Sequence, residues 1–196
     1  MVKERRLTSH LRSSPEGLSE RELVRLVRSG DPSGMRYLYE RYVGYLTAVC
    51  SRYLSDRATV KDVLQDAFIS VFTHIRDFEY RGEGSLRAWL SRIVANGALK
   101  QLRGSGRLNF VEDLPDREEE EPEGLPSVPP AVLAEMLRSL PDGYRTVFNL
   151  FVFEKMPHKE IARLLGIKED SSASQFFRAR AMLARKIKEY RRQQDE

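Results

Sequence analysis

Asp62 and Asp66 stand one helical turn apart, the spacing at which two carboxylates could share acid–base work or a metal ion. No histidine or third carboxylate is placed to complete such a site, so the pair reads as a docking face on a helix surface. The histidines, His10, His74 and His158, and the single cysteine, Cys50, have no metal-ligand spacing. Nothing in the chain indicates catalysis, a metal or a cofactor. Chemistry of another kind is carried by Phe177 and Arg178. An outward aromatic ring beside a guanidinium, near a helix N-terminus, can touch a thymine methyl and bond a guanine edge in the DNA major groove.

That placement depends on Met156–Ile187, read as two helices joined by a tight turn. Pro157 fits a first helical position, where its missing N–H costs nothing. Ile161, Ala162, Leu164 and Leu165 recur at helical spacing, Gly166 supplies the positive φ of a sharp stop, and Ile167 follows as a buried plug. Asp170 or Ser171 can cap the second helix. Along it Ser172, Phe176, Ala179, Leu183 and Ile187 form one stripe, and Ala173, Ser174, Phe177, Arg178 and Ala181 the other. Phe176 therefore points in and Phe177 out. Arg180, Arg185, Lys186, Lys188, Arg191 and Arg192 form a basic tail suited to phosphates. On spacing alone, a helical hairpin with a solvated basic face stays open beside a DNA-binding helix-turn-helix.

A chain of 196 residues allows one domain or two small ones, and 41% hydrophobic with 32% charged residues predicts a soluble protein with modest cores. No apolar run approaches the roughly 20 residues that span a bilayer. The start, MVKERRLTSHLRSSPEG, lacks the apolar stretch of a secretory signal, so a cytoplasmic location is expected. A lone cysteine excludes an internal disulfide, and Cys50 is expected in a core. The net charge of +4 weakly favours an anionic partner.

The rest of the chain is organised by helical periodicity, which predicts an all-α fold. Residues 1–17 read as a disordered basic arm. Ser19 and Glu22 form a capping box, Gly30 stops the first helix, and Asp31 and Pro32 start a second. The second helix buries the stripe Met35, Leu38, Tyr39, Tyr42, Leu46, Val49, Cys50 and Tyr53. A third helix, about Thr59 to Asp77, turns Leu64, Phe68, Val71, Phe72 and Ile75 inward. Asp62, Gln65, Asp66 and Ile69 fall on or near its opposite side. Ile69 is either a scattered exposed isoleucine or part of a protein contact.

The loop Phe78–Ser85 follows, and Ser85 can cap a fourth helix through about Arg103. Phe78, Tyr80 and Arg81 have the side chains that stack on unpaired bases, although Phe78 could equally close the core. Arg87, Arg92, Asn96 and Lys100 supply polar and basic surface, and Asn96 can give donor and acceptor to a base edge. Residues 105–129 read as a flexible acidic linker rich in proline and glutamate. Helical pattern resumes at Ala131–Leu140, restarts after Pro141 through about Glu154, and runs into the helix-turn-helix. The expected layout is two small helical modules, 18–104 and 130–196, on an acidic tether.

LP…YR…F at Leu140–Phe148, KEIARLLGI at Lys159–Ile167 and FRARAML at Phe177–Leu183 resemble the carboxy-terminal promoter-reading domain of bacterial extracytoplasmic-function sigma factors. DVLQDAFISVF at Asp62–Phe72 and GSLRAWLSRIVAN at Gly84–Asn96 resemble the first domain of the same family. Together they cover nearly all of the chain beyond the arm. The resemblance implies a dissociable promoter-specificity subunit of RNA polymerase, not an enzyme. It implies that Asp62, Gln65, Asp66 and Ile69 dock on the clamp of core polymerase. It assigns Phe78, Tyr80, Arg81, Arg87, Arg92, Asn96 and Lys100 to recognition and melting of the −10 element, the loop receiving a flipped base. It assigns Lys159, Ser171, Ala173, Ser174, Phe177, Arg178, Arg180 and Lys186 to the −35 duplex. The partners it implies are core RNA polymerase, promoter DNA and, in many members, a membrane-linked anti-sigma factor, with no small-molecule substrate.

The chain departs from the family pattern at a few places. Lys100 stands where an aspartate is usual, Lys168 where a small cap is usual, and Ser172 where an aliphatic residue packs. Ala173 and Gln175 occupy positions where basic residues are common. A stand-alone LuxR-like regulator would share the helix-turn-helix, but leaves Asp62–Phe72 and the loop aromatics without a role. A sigma-like protein-interaction adaptor is the other alternative.

Overall fold

A computed structural model describes residues 17–106, 108 and 128–194. Among the described residues there are eight α-helices and no strand, as the periodicity predicts. The first module holds α1 (Glu20–Arg28), α2 (Pro32–Ser51), α3 (Arg57–His74) and α4 (Ser85–Gly104). The second holds α5 (Pro130–Arg138), α6 (Asp142–Val152), α7 (His158–Leu165) and α8 (Glu169–Gln194). The expected arm up to residue 16, and the acidic run Glu112–Glu123, lie outside the described residues.

Local chemistry sets most helix starts. The Ser19 amide donates to Glu22 at 2.9 Å while the Glu22 amide donates to the Ser19 hydroxyl at 3.3 Å, the reciprocal box. That amide bond holds the Glu22 carboxyl below the usual glutamate range. Asp31 accepts from the Ser33 amide and Asp56 from the Thr59 amide, each at 2.8 Å, so α3 begins at Arg57, ahead of the expected Thr59. Ser85 does not cap α4. It is the helix's first residue, its hydroxyl donates back to the Gly82 carbonyl at 2.5 Å, and Gly84 takes the cap position with φ 87°.

In the first module α2 packs on α1, α3 and α4, and α3 on α4. Leu38, Leu46, Val49, Leu86, Leu90, Val94 and Leu99 are fully buried between them. Cys50 lies in this core, where burial pushes its thiol up to about 12. A Cβ at Gly97 would stand 3.1 Å from Val63 Cγ1, so this glycine lets α4 approach α3 closely.

In the second module α6 and α7 both pack on α8. Met136, Leu137, Leu140 and Tyr144 meet Ala179, Leu183 and Ile187 in one core. The other face of α6, Val147 and Leu150, together with Ile161 and Leu165 of α7, is continuous with the core of the first module. Asn149 Nδ2 donates to the Arg52 carbonyl at 2.8 Å and Arg145 Nη2 to the Tyr53 carbonyl at 2.9 Å. Arg103 of α4 bonds the Leu164 carbonyl. The modules therefore pack directly on one another, a contact that the picture of two bodies on a tether did not contain.

Candidate nucleic-acid and protein interfaces

α3 faces its core with Val60, Val63, Leu64, Ala67, Phe68 and Val71. Asp62, Gln65 and Asp66 are exposed on its far side, and Ile69 is 58% exposed. Ile69 is not an isolated apolar residue. It borders a groove of about 1110 Å³ between α2 and α3, lined also by Tyr39, Val43, Leu64, Phe68 and Phe72. Tyr39, expected in the buried stripe of α2, is instead 48% exposed and leans on Phe68 with ring centroids 4.9 Å apart. An apolar strip edged by carboxylates has the composition that an interface anchor and its polar rim take.

The loop after α3 departs from expectation at its first aromatic. Phe78 is 6% exposed, its ring 5.0 Å from Trp89, and its carbonyl is bonded by Arg28. It closes the core and is not presented to a base. Tyr80 is half-buried: its hydroxyl donates to Glu83 at 3.2 Å, and the Arg21 guanidinium lies 4.9 Å over its ring. Arg81 is exposed and pairs with Glu79 at 2.8 Å. Arg92, Asn96 and Lys100 are all exposed, and their four-residue spacing puts them on one face of α4. Arg87 stands apart, its guanidinium 3.9 Å over the Tyr45 ring.

Beside Arg92 an open cleft is shared with Phe153, Glu154 and Lys155 from the turn between α6 and α7. Arg52 lies 4.2 Å over the Phe153 ring. Burial raises the Glu154 carboxyl above the usual value, with Arg52 and Arg92 pulling the other way. A raised carboxyl means that the packed protein binds this proton more tightly than the unfolded chain does. Its contribution is therefore fully present below the unfolded value and is lost as pH rises through the raised one. Glu154→Gln is expected to flatten that part of the profile, read as the thermal midpoint of variant minus parent across mildly acidic pH. A constant difference across the range argues against the assignment.

In the helix-turn-helix, Gly166 at φ 71° ends α7 as expected. Pro157 precedes α7 instead of opening it, and α8 starts at Glu169, so Asp170 and Ser171 lie within the helix and not at its cap. Phe176 is half-buried against Phe151 and Phe148, with centroids at 4.4 and 5.9 Å. Phe177 is 40% exposed. Lys159, Ala173 and Ser174 are exposed, while Ser171, Arg178, Arg180 and Lys186 are partly covered. Arg180 leans back over the Phe176 ring at 5.9 Å. Gln175 is 1% exposed, so it is a packing residue and not a surface substitute for a basic one.

Ser172 on the packing face is explained by a residue with no earlier role. Its hydroxyl lies 3.0 Å from His158 Nδ1, and the His158 ring stacks on Phe151 at 4.5 Å. The polar pair satisfies itself across the start of α7 and the first turns of α8. Sequence spacing could not reveal it, because neither helix's period points to the other's residue.

These features give a helical chain with an exposed aromatic and basic face on one helix and an exposed apolar strip rimmed by carboxylates on another. Residues 38–108 match the family Sigma-70 region 2, and residues 131–183 match Sigma-70, region 4. The ECF RNA polymerase sigma-E factor of Haemophilus influenzae is 30% identical over 186 residues, which is 88% of this chain and 97% of that protein. The RNA polymerase sigma-H factor of Pseudomonas aeruginosa is 28% identical over 175 residues, 82% of this chain and 90% of that one. A solved complex of the sigma factor RpoE with the anti-sigma factor NepR, from Bartonella quintana, aligns at 21% identity over 78% of this chain and 96% of that one, with a TM-score of 0.48. The chain belongs to the extracytoplasmic-function RNA polymerase sigma factors, and it directs transcription initiation at promoter DNA in partnership with core RNA polymerase.

Proposed function

We propose that the modules divide the work residue by residue. The first, residues 18–104, docks on core polymerase through Asp62, Gln65, Asp66 and Ile69. It holds the opened −10 strand with Tyr80, Arg81, Arg92, Asn96 and Lys100. The second, residues 130–196, reads the −35 duplex through Ala173, Ser174, Phe177 and Arg178, with Lys159 and Lys186 on phosphates. Residues 105–129 tether the two. The observation that carries this reading is the split between adjacent rings in α8: Phe176 sits in an aromatic stack, and Phe177 is exposed beside Arg178. In this reading the polymerase does the bond chemistry, and the chain itself is no enzyme; it supplies address and strand separation. Among the described residues no helix is long and apolar enough to cross a membrane, and the work assigned here belongs in the cytoplasm. An anti-sigma factor covering the α3 groove is the competitor that this reading admits.

The test is transcription in vitro with sigma-free core polymerase and genomic DNA. Discrete transcripts that depend on this chain support the reading. Duplex binding without transcripts favours the LuxR-like alternative. Within the second module, Arg178→Ala is expected to weaken −35 binding by about 1–3 kcal/mol and relax preference at one base pair. Phe177→Ala loses less, since an apolar methyl contact is weaker. Lys186→Ala weakens all sequences alike and lowers the salt slope. An unchanged selected sequence with Arg178→Ala would overturn the assignment of that face.

A further inference from the structure

α4 carries the −10 candidates, yet it has no side-chain cap of its own. Its first amides are capped from another helix. Glu20, the first residue of α1 and 3% exposed, points its carboxylate at them. Oε2 accepts from the amides of Gly84 at 2.9 Å and Leu86 at 3.1 Å. Oε1 accepts from the Arg87 amide at 3.3 Å and from the Tyr42 hydroxyl at 2.9 Å. Burial and the neighbouring Glu20 both push the Tyr42 hydroxyl up, which keeps it a donor. The Glu20 amide in turn donates to Glu83 Oε1 at 3.2 Å, the same oxygen that accepts from the Tyr80 hydroxyl. Arg21 completes the set from above the Tyr80 ring.

We propose that Glu20 is a positioning residue for promoter opening: its buried carboxylate caps α4 from α1 while its backbone amide holds Glu83, the acceptor of the Tyr80 hydroxyl, so that the Phe78–Ser85 loop is already shaped to receive an unpaired base. The inference rests on the reading of that loop as the strand-holding element. The physical logic is preorganisation. A loop with Gly82 and Gly84, both at positive φ, has much conformational freedom to lose when a base arrives. Three amide bonds to one buried carboxylate remove that freedom beforehand, and a negative charge at a helix N-terminus is favourable on its own account. Without the latch α4 can still fold, but the loop that carries Tyr80 is no longer held in one shape.

The test uses holoenzyme reconstituted from the full chain and core polymerase, with permanganate reactivity of unpaired thymines as the readout. Glu20→Gln keeps the size but loses the charge and turns an NH₂ toward the amides. It is expected to slow opening of duplex promoters by about tenfold, the worth of one charge-assisted bond. A premelted template should restore activity to the parent level, and Glu20→Asp should recover part of the rate. Glu20→Gln with Tyr80→Ala should open no more slowly than Tyr80→Ala alone, because both act through one loop. Equal slowing on duplex and premelted templates, or additive effects, makes Glu20 a general fold residue and overturns the proposal. If Tyr80→Ala opens promoters normally, the loop reading itself has failed. If Tyr80→Ala is slow and Glu20→Gln is not, the reading stands and the latch does not. Should Glu20→Gln fail to fold, Glu83→Ala at an exposed position removes the acceptor that joins the Glu20 amide to the Tyr80 hydroxyl. It is expected to slow duplex opening alone, and parental opening by that variant equally refutes the latch.

Discussion

Arg145→Ala is expected to lower folding stability by about 3–5 kcal/mol, the cost of removing one partner from a buried charged network. Arg145 is 5% exposed in α6. Its guanidinium donates to the carbonyls of Arg138 at 2.7 Å, Leu140 at 3.2 Å and Tyr53 at 2.9 Å, and to the Asp142 carboxylate. Truncation strands those carbonyls and leaves a largely covered carboxylate without this counter-charge. Arg145→Met separates the contributions: it restores the apolar stem but none of the donors, and should recover only the packing share. Urea denaturation followed by circular dichroism measures both. A parental midpoint for Arg145→Ala would show that the network is dispensable.

Asp66→Arg combined with Ile69→Glu is expected to weaken binding to core polymerase by at least about 100-fold, the sum of an apolar anchor near 2 kcal/mol and a reversed rim charge. Both side chains are exposed, so neither change disturbs the core that α3 makes through Leu64 and Phe68. Helicity should therefore stay at the parent level, and −35 binding by the second module should persist. Titration against immobilised core enzyme gives the number. Parental affinity with the double substitution would move the docking face elsewhere.

Much of this was legible in the chain because a helix repeats. The period alone separated Phe176 from Phe177 and put Ile69 outside the core. Ser19 with Glu22, and Asp31, announced helix starts because a cap is bonded within a few residues of itself. What stayed hidden is bonding between residues far apart in sequence. Nothing near Glu20 says that it caps α4, and the local pattern points instead to Ser85. Nothing near Arg145 or Asn149 says that their donors reach the end of α2. Tyr39 fits a buried stripe by period, but the groove leaves one side of it uncovered. Phe78 had two readings from sequence, and packing against Trp89 chose between them.

Gly97 has a mechanical consequence. With no side chain at that position, α3 and α4 lie close together over Val63. The packed pair carries Asp66 and Ile69 on one helix and Arg92 and Asn96 on the other. In the proposed division of work, seating the first pair on the polymerase therefore also aims the second. A bulky residue at 97 would alter that aim without altering a single atom of either working surface.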